Sequence, residues 1–137
     1  MTAMEKVAWT ELSVCVLTVV MVTALYPWLG NSASGAFGFL GFIACGIFFL
    51  RGRGKTVVID ERDREIEQLA TRRGIETAWM VLFMTLIAIV LWSSFANDEV
   101  VPTGLLSWLI WVQFAICYGV KGFVAVRFYR SQRRAAQ

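Results

Sequence analysis

The stretch RGRGKTVVIDERDREIEQLATRRG, residues 51–74, holds seven of the chain's 13 Lys and Arg residues and separates two long apolar runs. The other basic residues follow the same pattern. Lys6 precedes the first apolar run, and Lys121, Arg127, Arg130, Arg133 and Arg134 lie toward the end of the last. The two alternate connections, 31–35 and 96–103, hold no Lys or Arg. Positive charge near the ends of membrane spans is retained on the cytoplasmic face. Four spans with both termini in the cytoplasm therefore place every basic residue on one side.

With 137 residues, 58% of them hydrophobic, and a mean hydropathy of +0.63, the chain is too apolar for an ordinary soluble domain. A bilayer core of about 30 Å takes about 20 apolar residues per helix. The runs Val7–Leu29, Ala33–Leu50, Thr77–Phe95 and Gly104–Phe128 meet that length or come close to it. They occupy most of residues 1–137, so the sequence predicts one integral membrane domain: an all-α bundle of four transmembrane helices. The first run is expected to be retained. It is long for a signal peptide, Glu11 interrupts its start, and Tyr26, Pro27 and Trp28 form an interfacial anchor at its far end. Trp9 and Trp79 fall at predicted inner ends, and Trp28, Trp92 and Trp108 at outer ends, where an apolar ring with one polar atom is most comfortable.

The middle stretch subdivides. Arg51 to Lys55 is a Gly-rich basic hinge, and Thr56 to Ile59 is a short apolar run. From Asp60 the composition predicts an amphipathic cytoplasmic helix over about 60–74. Asp60 is a good N-cap, acids fill the first turn, and Arg72 and Arg73 fill the last. Ile66, Leu69, Ala70 and Arg73 share a narrow face, and Gly74 is expected to turn the chain into the third span. Alternating charges read first as a solvated, salt-bridged face, the alternative being a docking surface formed by Asp60, Glu61, Arg62, Asp63, Ile66 and Ala70.

Small residues at Gly38, Gly41 and Cys45 in the second span, and at Gly119 and Gly122 in the fourth, are expected to allow close helix approach, within one protomer or across a homodimer. Cys15, Cys45 and Cys117 fall in three different spans and read as small packing residues, the alternative being a redox or thiolate metal site. The chain has no His, which removes imidazole ligands and His acid–base chemistry. Three ionisable groups lie inside the spans near their inner ends: Glu11, Glu76 and Lys121, with Gln113 deeper. Charges at that depth are paired, hydrated or snorkelling. An intramembrane polar cluster of these four is expected, with Lys121 in reach of Glu11 or Glu76.

The segment Asp60, Glu61, Arg62, Asp63, Ile66, Ala70, Gly74 resembles the motif D-E-R-D/E-x-x-I-x-x-x-A-x-x-x-S/G. That motif marks a family of small bacterial four-span membrane proteins carrying a domain of unknown function, DUF2178. The resemblance implies the bacterial inner membrane. Because some relatives are encoded beside small helix-turn-helix regulators, it also implies a membrane partner for a DNA-binding protein.

No Gly-rich phosphate loop, nucleophile with an adjacent base or HExxH site is present, so a non-enzymatic protein without metal or cofactor is expected. The basic C-terminal stretch is expected to meet anionic lipid headgroups rather than nucleic acid. Two functions stay open: an interaction or regulatory protein that docks a cytoplasmic protein, and a small dimeric proton- or ion-coupled transporter or channel. A missing midplane carboxylate weighs against the second.

Overall fold

The computed structural model describes residues 3–46, 60–96 and 101–135. The expected hinge at Arg51 to Lys55, the run Thr56 to Ile59, the end of the second span and the Cys45 side chain lie outside the described residues. Among the described residues the chain is all-helical. Helix α1 covers Ala3–Leu29, a 3₁₀ helix covers Gly30–Gly46, α2 covers Glu61–Ala96 and α3 covers Thr103–Ala135. Among the described residues three runs are long and apolar enough to cross a membrane, where the sequence predicts four. The first, Met4–Ala44, joins α1 and the 3₁₀ helix; the others are Glu61–Phe95 and Thr103–Gln132.

That first run doubles back on itself. Pro27 has no N–H to offer the carbonyl four residues earlier, and α1 ends two residues after it. Gly30 then takes a φ of 54°, a left-handed conformation that suits a helix end and that a side chain would resist. The returning 3₁₀ helix lies along α1, so that Cys15 and Val22 share a core cluster with Phe37, Leu40 and Ala115 of α3. A 3₁₀ helix rises about 2.0 Å per residue with three residues per turn, so side chains three apart stack in rows. Phe37 and Leu40 belong to the inward row. The row Gly35, Gly38, Gly41 and Ala44 faces outward, and a Cβ added at any of the three glycines would meet open space.

A second departure from expectation concerns residues 60–74. They form no separate surface helix and no turn occurs at Gly74; the helix runs unbroken from Glu61 to Ala96. Gly74 is buried at a crossing with α3, where a Cβ would lie 2.6 Å from the Cys117 carbonyl oxygen and 3.2 Å from Lys121 Cβ. Its missing side chain serves contact between helices rather than a bend. Gly122 does the same between α3 and α1, where a Cβ would come within 2.9 Å of Leu12 N. Helix α3 is therefore central, with α1, α2 and the 3₁₀ helix against it.

Two clusters mark the ends of the bundle. At one end Ala8, Ile66, Ala70, Ala125, Val126 and Tyr129 join the start of α1, the start of α2 and the end of α3. Toward the other, Trp108 meets Tyr26 at 5.8 Å and Phe37 at 5.7 Å, both edge to face. Between them the outer faces carry exposed Trp79, Phe83, Ile87, Val90 and Trp92 on α2 alone, a surface suited to lipid rather than water.

Candidate functional site: a lysine between two carboxylates

Close helix approach builds the site. With no Cβ at Gly122, α1 comes against α3 at Leu12, and this sets Glu11 beside Lys121. With none at Gly74, α2 crosses α3 at the base of the same lysine. The Lys121 stem then runs toward the end of the bundle where α2 begins. Its Nζ donates to Glu11 Oε1 at 2.8 Å and lies 2.6 Å from Glu67 Oε1. The Glu11 and Lys121 side chains are only 7% and 14% exposed, against 36% for Glu67. The Nζ also stands 5.9 Å from the centre of the Tyr118 ring. One ammonium thus joins three helices through two carboxylates, leaving the fully ionised triad one negative charge in excess.

Of the four residues expected in the polar cluster, the fold unites Glu11 and Lys121. Glu76 lies on the outer face of α2, where Arg72 Nε donates to it at 2.7 Å and Arg73 stands at 4.0 Å. Gln113 is separate and deeper, donating its side-chain amide to the Ala78 carbonyl. Glu67 is the member that sequence reasoning missed. It is nine residues from Glu76, about two and a half helical turns, and so faces the opposite way. Its signal was present: Asp63, Ile66, Glu67, Ala70 and Gly74 recur at helical spacing as one stripe.

That stripe changes the reading of the proposed docking set. Asp60 accepts from the Glu61 N–H at 2.8 Å and caps α2, and Asp60, Glu61 and Arg62 are exposed. Asp63 instead accepts from the Tyr129 hydroxyl at 3.0 Å, while Ile66 and Ala70 are buried at the three-helix junction. The exposed side carries Arg62, Glu65, Gln68, Leu69, Arg72 and Arg73.

Among the helix-packing residues, Gly119 would bring a Cβ to ordinary contact with Cys15 and Gly122 adjoins Leu12, both on α1. Gly38 and Gly41 face outward and meet neither. Cys15 is buried, Cys117 half-buried, and neither is in a disulfide. Among the described residues no group of three His, Cys, Asp or Glu side chains is placed to hold a metal ion.

A cleft of about 480 Å³ opens beside the triad. Glu11, Glu67 and Lys121 form its polar wall, and Leu40, Phe114 and Tyr118 are among its apolar neighbours. Such a site can hold helices in register, bind a small polar group or exchange a proton with it.

Residues 10–133 match the family described as Predicted membrane protein (DUF2178). The chain belongs to this family. Of the motif residues read above, Asp63, Ile66, Ala70 and Gly74 belong to the stripe by which α2 is fastened to α3 and α1, while Asp60, Glu61 and Arg62 are exposed. No curated protein and no solved structure matches the chain.

Proposed function

We propose that this DUF2178 protein is a non-enzymatic, four-crossing protein of the bacterial inner membrane, with both termini cytoplasmic, that docks a cytoplasmic protein on the outward face of α2. The reversal at Gly30 supports the fourth crossing: 17 residues of 3₁₀ helix reach about 34 Å, enough for a bilayer core. The clustering of all three charged helix ends, from α1, α2 and α3, supports a shared cytoplasmic side.

One observation carries the docking role. Residues 61–76 extend α2 by about 24 Å beyond its apolar part, and their inner stripe is fastened at Asp63, Ile66, Glu67, Ala70 and Gly74. The outer face is thereby held rigid before any partner arrives, which lowers the ordering cost of association. On it Leu69, 43% exposed, is surrounded by Arg62, Glu65, Arg72 and Arg73, an apolar anchor inside a charged rim. The partner class that the resemblance favours is a small DNA-binding regulator.

The test places a photocrosslinking residue at Leu69 and, as a lipid-facing control, at Trp79 in native membranes. A defined protein adduct at Leu69, absent at Trp79 and lost on charge reversal of Arg62 and Arg73, is expected. Cysteines at Asn31 and Thr103 should label from outside, and one at Arg62 only after permeabilisation. The cleft beside the triad favours a second reading, proton- or ion-coupled transport. Absence of an adduct, together with proton flux in liposomes abolished by Glu11→Gln, would select transport instead.

A further inference from the structure

At the cytoplasmic end of α3, Arg127, Arg130, Ser131 and Arg134 share one side of the helix and line a cleft of about 510 Å³ against α1. The Arg130 guanidinium stands 4.8 Å from the centre of the Trp9 ring. Below them, toward the middle of the bundle, the same cleft is floored by Leu12, Phe123 and Val126. No carboxylate is among its lining residues, which carry three positive charges. From Arg130, Val126 lies about 6 Å and Phe123 about 10 Å deeper along the helix, whereas Arg134 lies about 6 Å further out. Arg134 and Arg130, with the Trp9 indole against Arg130, stand at the outer part of the cleft, and Arg127 lies about 4.5 Å deeper than Arg130. Leu12 and Phe123 lie toward the middle of the bundle, an arrangement of cations above apolar surface that matches a phospholipid's phosphate above its acyl chain.

We infer that this cleft is a binding site for one anionic phospholipid, its phosphate held by Arg127, Arg130 and Arg134 and its acyl chain laid over Leu12, Phe123 and Val126. The inference rests on the membrane-spanning reading but not on protein docking. A guanidinium matches a phosphate with two parallel N–H donors. The apolar floor distinguishes the site from a patch that merely attracts anions. A lipid bound there bridges α1 and α3 beyond their crossing at Leu12 and Gly122, and so stabilises the folded bundle.

The test uses the full chain in neutral detergent, with thermal unfolding followed during titration with phosphatidylglycerol, phosphatidylcholine or inorganic phosphate. Phosphatidylglycerol should raise the midpoint and the other two should not. A ligand that binds only the folded state stabilises it in proportion to the logarithm of its concentration over Kd. Replacing the three arginines together by glutamine should weaken the apparent affinity by on the order of 100-fold, about 5-fold for each charge. The matched variant Arg62→Gln/Arg64→Gln/Arg72→Gln, which removes equal charge from α2, should leave affinity unchanged. Phe123→Ser should weaken binding with every arginine in place. Equal stabilisation by inorganic phosphate, or equal loss in the α2 variant, would overturn the inference.

Discussion

Replacing Lys121 by methionine removes the cation that serves two carboxylates. The two pairs differ in worth because they differ in burial. At 2.8 Å the Glu11 pair has a gross attraction of about 6 kcal/mol at an effective dielectric of about 20. Desolvation of both ions offsets most of this. What remains costly is one charge left behind: breaking a buried pair costs about 3–5 kcal/mol. Glu11, 7% exposed, has little access to water once Lys121 is gone. The Glu67 pair is nearer the surface limit, where an ion pair contributes about 0.2–1 kcal/mol. Lys121→Met should therefore destabilise by about 3–4 kcal/mol, and Glu67→Gln by less than about 1 kcal/mol. Adding Glu11→Leu to Lys121→Met should restore most of the loss, because an apolar pair of similar volume replaces a buried ion pair at little or no net cost. Glu76→Gln should show no coupling to Lys121, since Glu76 is bound to Arg72 on the far face. Equilibrium unfolding in mixed micelles, with a double-mutant cycle, measures each quantity. If Lys121→Met stays within about 1 kcal/mol of wild type, or the double variant is no better than the single, the triad does not hold the three helices.

The glycine crossings give a contrast on the same assay. Gly74→Ala and Gly122→Ala drive a methyl into the Cys117 carbonyl and the Leu12 backbone, and each should cost about 1–3 kcal/mol. Gly35→Ala and Gly38→Ala meet open space and should be neutral or slightly stabilising; a loss of more than about 1 kcal/mol at Gly38 would point to a second copy seated on that row. Tyr129→Phe deletes the hydroxyl that donates to Asp63 and should destabilise by about 1–2 kcal/mol, and its effect should vanish in an Asp63→Ala background, which lacks the acceptor.

Much of this protein was legible in one dimension. The length of the apolar runs, the segregation of Lys and Arg and the cap at Asp60 depend only on composition and spacing, because a bilayer sets the length of a span and positive charge sets its orientation. Depth was legible too. A rise of about 1.5 Å per residue puts Glu11, Glu76 and Lys121 near one level, and Gly74 does lie against Lys121 Cβ. Direction around the helix axis was not. Glu76 has the right depth but faces away, while Glu67, about two and a half turns nearer the helix start, faces Lys121 and is reached by its flexible stem. The role of Gly74 was hidden for a related reason. A glycine that ends a helix and a glycine that admits a neighbouring helix look the same in sequence, and only the approach of the Cys117 carbonyl distinguishes them. The sequence by itself determined which segments are apolar, where the charges gather and how far each lies along its helix, since these follow from local chemistry. The tertiary structure decided which carboxylates Lys121 holds, that α2 runs unbroken through Gly74, and which face of its first turns stays exposed. Those outcomes depend on the rotation of each helix about its axis, and contact with the other helices alone fixes it.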